Sequence, residues 1–174
     1  MGVAGAVYHL HLAHLSCNLV RLKSHLKNYP MDLKDCFKFA TEHPLCSVAT
    51  MDGDQPRVRI LLLDAADETG FYFATLTPKD VSKQLHKNPK VEICFFHNAS
   101  DLMETKMMRV CGEVEFIDDP EAFKRAVGPR KDLSQIIGEP IEPYVEVFRV
   151  INGDIHFWTM MDIMKEKQLE HLNF

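Results

Sequence analysis

"LCSVATMDGDQPRVRILLLD", residues 45–64, decides the fold. Two β-rich runs, "LCSVATM" and "PRVRILLLD", are joined by "DGDQ", and an Asp-Gly in such a link favours a tight hairpin. The two runs are therefore read as antiparallel neighbours. The second carries Arg57 and Arg59 at positions i and i+2, which share a face of a strand and sit only ~7 Å apart. Two readings of that pair stand. The guanidiniums hold an anion in common, or they face solvent and pair with surface acids such as Asp52 or Asp54.

Outward from the hairpin the same alternation of strands, short turns and brief helices continues. "DLKDCFKFATEH" places Asp32 as an N-cap before Leu33, Phe37 and Ala40 at helical spacing, and Pro44 stops the helix. "GFYFATL" (70–76) is a third strand, followed by a helix in "PKDVSKQLHKN" with Pro78 at its first turn. "KVEICFFHN" and "KMMRVCGEVEFID" are two further strands, and "DPEAFKRAV" opens a short helix. "YVEVFRVING" and "DIHFWTMM" are expected to form a last hairpin, with a helical or irregular tail in "IMKEKQLEHL". Strands outnumber helices and short turns join neighbours, which predicts a mainly β fold: an antiparallel barrel with flanking helices.

Composition limits the function classes. The chain has 174 residues, 46% of them hydrophobic, enough for one domain with a core. A net charge of −5 gives no electrostatic footprint for nucleic acid or for an anionic membrane surface. Five cysteines, at 17, 36, 46, 94 and 111, form no CxxC and no even-numbered framework. Cys46, Cys94 and Cys111 fall in apolar runs and read as buried thiols, consistent with a cytoplasmic protein.

The first 31 residues differ from the rest: all 25 acidic residues follow Met31. Leu12, Leu15, Leu19, Leu22 and Leu26 recur at helical spacing and predict an amphipathic helix over about residues 8–28. No signal peptide is read here, since Arg21, Lys23 and Lys27 follow the apolar stretch instead of preceding it. His9 and His11 do not share a helix face, and no metal site is expected. The division is thus an N-terminal helical extension over 1–31 and a barrel domain over 32–174.

No GxGxxG, P-loop, HExxH or GxSxG occurs. The informative residues are basic and hydroxylic ones at strand ends: Arg57 and Arg59, Thr75 and Thr77 closing the third strand, and Lys79 opening the next helix. Arginine forks, hydroxyls, a lysine and helix N-terminal amides are what a phosphate needs.

The order of these elements resembles a known family. "RVRILLLD", "GFYFATLTPKDVSKQLHKNPKVEICFF", "RVCGEVEFIDD" and "FRVINGDIHFWTM" together resemble the pyridoxamine 5′-phosphate oxidase-like, FMN-binding split-barrel proteins, in particular their short general-stress-protein-like branch. The resemblance spans roughly residues 32–172. It implies a split β-barrel that dimerises with itself and carries one FMN at each of two interface sites. By position, it implies that Arg59 and Ile60 flank the flavin, that Arg57, Thr75, Thr77 and Lys79 surround the phosphate, and that Gln84 reaches the same region. Trp158, the only tryptophan, either stacks near the flavin from the partner subunit or belongs to the core.

One departure bears on the substrate. Asp64 stands where the oxidases proper have a lysine closing the arginine strand, and Lys79 is followed by Asp80 instead of a second base. An acid at 64 is expected to repel a phosphorylated substrate. The expected function is an FMN-dependent oxidoreductase, NAD(P)H being a possible donor, that is not an authentic pyridoxamine phosphate oxidase. A non-catalytic flavin-binding or stress-associated protein, or a related barrel with haem or deazaflavin, is the alternative.

Overall fold

The computed structural model describes residues 32–174; the helix expected over 8–28 lies outside them. Asp32 caps the first helix, α1 (Leu33–Glu42), its carboxylate accepting from the Asp35 N–H at 2.9 Å. The helix turns Cys36, Phe37 and Ala40 inward. The hairpin then forms from β1 (Leu45–Asp52) and β2 (Gln55–Asp67), in register from Leu45 opposite Leu62 to Asp52 opposite Gln55.

Four more strands complete the barrel: β3 (Gly70–Leu76), β4 (Lys90–His97), β5 (Lys106–Ile117) and β6 (Val145–Thr159). All pairings are antiparallel, in the order β3-β2-β1-β4-β5-β6, and pairing of β3 with β6 closes the ring. The fold is thus mainly β, a closed six-stranded antiparallel barrel with added helices, as expected from the sequence. Closure removes the exposed edges that an open sheet would present. A two-residue strand, β7 (Leu172–Asn173), adds to the free part of β6.

The interior is aromatic and β-branched. Phe71, Phe73, Phe95 and Phe148 are fully buried, with the Phe73 and Phe148 rings stacked at 5.6 Å. A smaller apolar layer lies outside the barrel wall. There Tyr72, Ala74 and Val147 meet Ala122 and Ala126 of α3 (Pro120–Val127). Between β3 and β4 lies α2 (Asp80–Lys87), which buries Val81, Gln84 and Leu85. The helix begins after Pro78, within a turn closed by the Lys79 N–H on the Leu76 carbonyl at 2.9 Å. A one-turn helix, α4 (Leu133–Ile137), precedes β6.

The expected hairpin over 144–161 is a single strand. Asn152-Gly153 looks like a tight turn, and Asn152 does adopt a left-handed φ of 53°. The chain cannot reverse there because β5 runs beside both halves, Glu113–Ile117 against 147–151 and Lys106–Cys111 against 154–159. The Asn-Gly element is instead a bulge opposite Gly112. A Cβ on Gly112 would lie 2.7 Å from Val150 Cγ1 and 2.9 Å from the Ile151 carbonyl, so the bulge brings the backbones into a contact only glycine fits. Cys111, beside it, is exposed and not buried as the sequence suggested, because β5 alternates and Val110 takes the inward position.

Candidate functional site

The register of β2 explains where its arginines lie. Leu63 and Leu61 point into the barrel and are buried; continuing with period two, Arg59 is half-buried at the barrel's end and Arg57 is exposed. Gln84, on the buried face of α2, meets them there. Arg59 donates to Thr50 Oγ1 at 2.5 Å and to Gln84 Oε1 at 2.7 Å, and Thr50 donates to Gln84 at 2.6 Å. The triangle fixes the guanidinium with two neutral acceptors. Among the described residues no carboxylate pairs with Arg59.

Arg57 is held differently. Its Nε and Nη2 lie 3.3 and 3.1 Å from Asp52 Oδ2, an exposed pair of the kind that contributes little to stability. Arg57 thus pairs with a surface acid, as one of the two readings expects, whereas Arg59, among the described residues, is held by neutral acceptors alone. Burial, and then the neighbouring Arg57 charge, pull the Arg59 guanidinium below its ordinary value, with Asp80 opposing. Two cations this close are relieved by a third, negative group.

These residues line one open groove of about 520 Å³. Arg57, Arg59 and Lys79 supply positive charge, against the carboxylates of Asp52 and Asp80. Ile60, Leu61 and Val81 give it an apolar side, and Gln84 its floor. Lys79 is the N-cap of α2 but makes no side-chain cap, which leaves the amides of the first turn to other acceptors.

Five of the residues picked out from the sequence, Arg57, Arg59, Ile60, Lys79 and Gln84, therefore come together. Thr75, Thr77 and Trp158 lie outside the groove's lining. Thr75 points into the barrel with Phe71 and Phe73, 4% exposed, and its hydroxyl is buried without a hydrogen-bond partner. Thr77 is exposed, its N–H on the Tyr144 carbonyl at 2.8 Å. Trp158 is half-buried opposite Met107. Thr50, which braces Arg59, was not picked out from the sequence. Its signal lay in the hairpin register, which sets it opposite Arg57.

Asp64 is not a free acid beside the groove. Its carboxylate is buried against Arg130, Nη1 to Oδ1 at 2.7 Å. Burial raises its pKa, and the hydrogen bond and charge of Arg130 oppose that rise. The expected repulsion of a phosphorylated substrate has no free charge behind it, because a guanidinium more than sixty residues along the chain neutralises the carboxylate.

The comparisons with known proteins agree with this architecture. The pyridoxine/pyridoxamine 5′-phosphate oxidase of Pseudomonas paraeruginosa (strain DSM 24068 / PA7) is 36% identical over 77 residues, 44% of this chain and 34% of that protein. The match thus spans about a third of that relative's length. Among solved structures, a nimC/nimA family protein from Clostridium acetobutylicum superposes with a TM-score of 0.62 at 24% identity, covering 80% of this chain and 90% of that one. The General Stress Protein 26 from Bacillus anthracis str. Sterne gives 0.57 at 14% identity, over 80% and 98%. At such identities the structures share the fold. Residues 33–161 match the family described as Pyridoxamine 5′-phosphate oxidase, and to that family the chain belongs.

Proposed function

We propose that the protein is an FMN-binding flavoprotein acting as an FMN-dependent oxidoreductase, and that the groove between β2 and the start of α2 holds the flavin's phosphate. The observation that carries this reading is Arg59, a half-buried guanidinium locked by Thr50 and Gln84 and paired with no carboxylate. A phosphate dianion would be held by Arg59, Lys79 and the uncapped first turn of α2, and would draw Arg57 from Asp52. The orphaned hydroxyl of Thr75 is a further donor behind the strand end. Thr77 would close the phosphate turn. Ile60 gives the ring system an apolar rest.

Bound flavin supplies the electron and hydride chemistry, while the protein supplies orientation, water exclusion and electrostatic tuning. The groove is open in a single chain, which suits a homodimer whose second copy covers the ring and brings Trp158 towards it. Among the described residues no helix is long and apolar enough to cross a membrane. Free Cys36 and Cys46, their thiols pushed up to about 12 by burial, suit a cytoplasmic location.

The test is a visible spectrum of the purified full chain, with FMN and riboflavin titrated in parallel. A flavin band with FMN favoured over riboflavin is expected. Equal affinity for the two would remove the phosphate from the groove, and a haem spectrum would replace the cofactor altogether. Reduction of the bound flavin by NADH or NADPH, coupled to an acceptor screen, separates an oxidoreductase from a passive binder.

A further inference from the structure

A second cluster of chemistry-bearing side chains lies away from the groove, where β7 joins β6. Asp154 and His156 stand two apart on β6, flanking the fully buried Ile155, and so share its outer face. The pairing of Leu172 with Ile155 brings His171 beside them. His171 Nδ1 lies 2.7 Å from Asp154 Oδ1, and His156 Nδ1 lies 3.7 Å from the same oxygen. The two imidazole rings are 4.6 Å apart.

The hydrogen bond from His171 to Asp154 accounts for two of the three groups. It leaves out His156, whose Nδ1 is buried with no hydrogen-bond partner. A buried imidazole nitrogen close to a carboxylate it does not reach carries a desolvation cost. A cation seated between the three would satisfy it.

We propose that Asp154, His156 and His171 form a binding site for a divalent cation of the zinc class. Their donor atoms all lie within 4.8 Å of one another. Bonds of about 2.0–2.2 Å to nitrogen and carboxylate oxygen place tetrahedral ligands roughly 3.3 Å apart, so small side-chain adjustments bring the three onto one ion. Two imidazoles with one carboxylate select zinc-like ions over magnesium and calcium, which take mainly oxygen ligands. Three protein ligands leave a fourth position for water.

The surroundings hold the cluster in place. Gly153 and Phe174 exchange backbone hydrogen bonds at 3.2 and 3.1 Å, and the Phe174 ring packs edge-on against Phe71 at 5.2 Å. A Cβ on Gly153 would lie 2.0 Å from the Cys111 carbonyl and 2.6 Å from the Phe174 ring, so the close approach of this segment requires glycine. Arg109, opposite His156 in the register, is the nearby charge that opposes a cation. Its guanidinium is already engaged by Glu92 and Glu166. The bound ion would clip segment 171–174 to the barrel wall.

The test uses the full chain and Zn²⁺, measured by competition with a chromophoric chelator and by calorimetry, with Mg²⁺ and Ca²⁺ as controls. One Zn²⁺ per chain, a rise in Tm with Zn²⁺ alone, and weakening by ~10-fold or more in both His156→Gln and His171→Gln are expected. His171 is exposed, so its replacement leaves the barrel folded. The variant His9→Gln/His11→Gln/His14→Gln, which alters histidines far along the sequence, should bind Zn²⁺ like the parent. No binding to the folded parent at micromolar Zn²⁺, or undiminished binding in the His156→Gln/His171→Gln double variant, overturns the proposal. So does loss of binding in the triple variant with none in the other two.

Discussion

Asp64 and Arg130 form a buried ion pair, the side chains 4% and 16% exposed, that ties the end of β2 to the segment after α3. Removing one partner of such a pair leaves the other charge buried alone, which costs about 3–5 kcal/mol. Arg130→Met should therefore destabilise the protein by about 3 kcal/mol. Asp64→Asn should cost less, because the amide oxygen still accepts from Arg130, whose guanidinium is the more exposed partner and also donates to the Ala126 carbonyl. Asp64→Lys sets an ammonium against the guanidinium and should be the worst of the three. It should gain no oxidation of pyridoxamine phosphate, although a lysine there would restore the residue type of the oxidases proper. Urea denaturation orders the variants; an Asp64→Lys protein as stable as the parent would sink this account.

Arg59 and Arg57 should differ in their effect on FMN. Each charge-assisted contact to a phosphate contributes about 1.5–3 kcal/mol, or roughly ten- to a hundredfold in affinity. Arg59→Ala should show that full loss, since no carboxylate among the described residues is paired with it. Arg57→Ala should show less, because Asp52 must first release it, and Asp52→Asn should tighten FMN. Gln84→Leu and Thr50→Val remove the bracing and should weaken FMN several-fold with riboflavin little affected. Fluorescence titration of both ligands gives the answer, and unchanged FMN affinity in Arg59→Ala would return that residue to a structural role.

What could be read in the sequence was what local chemistry encodes. The Asp-Gly link gave the β1–β2 hairpin, and Asp32 gave the start of α1, because turn and cap preferences act over four residues. The period-two face of Arg57 and Arg59 was legible for the same reason. Asn152-Gly153 carries the same turn signal as Asp52-Gly53 yet forms a bulge, since β5 is long enough to pair with both sides of it. That information lies some forty residues away. Thr50 beside Arg59, Arg130 on Asp64, and His171 beside His156 are likewise products of closure and register, invisible until the strands are aligned.

The outer face of the hairpin is apolar and open. Leu45, Val58 and Ile60 are 64%, 68% and 62% exposed, and Phe96 of β4 adds 49%. Single exposed apolar residues are ordinary, whereas several on one face mark an interface. If a second copy covers this face, Val58→Asp should give a monomer that folds, since Val58 contributes nothing to the barrel interior. The same variant should lose flavin although Val58 does not line the groove. Sedimentation velocity with absorbance at the flavin band reads both at once, and a Val58→Asp dimer with normal FMN content would place the interface elsewhere.

His43 makes stability depend on pH in a definite direction. Its imidazole packs beside Phe39 and His97, the rings 4.6 and 4.8 Å away. Burial, and then the His97 ring, lower its pKa from the ordinary 6.5, with Glu42 opposing. The folded state therefore binds this proton less readily than the unfolded chain, and between the two pKa values the unfolded state carries more protons. Stability there rises with pH. The contribution of His43 is fully present above about pH 6.5 and is lost progressively as the pH falls through the lowered folded value. The urea midpoint should accordingly be nearly level above neutrality and fall on acidification. His43→Phe keeps a ring in the cluster and removes the titration, so its midpoint should fall less over the same range. An identical acid-side slope in parent and His43→Phe would show that this imidazole is not the group being charged.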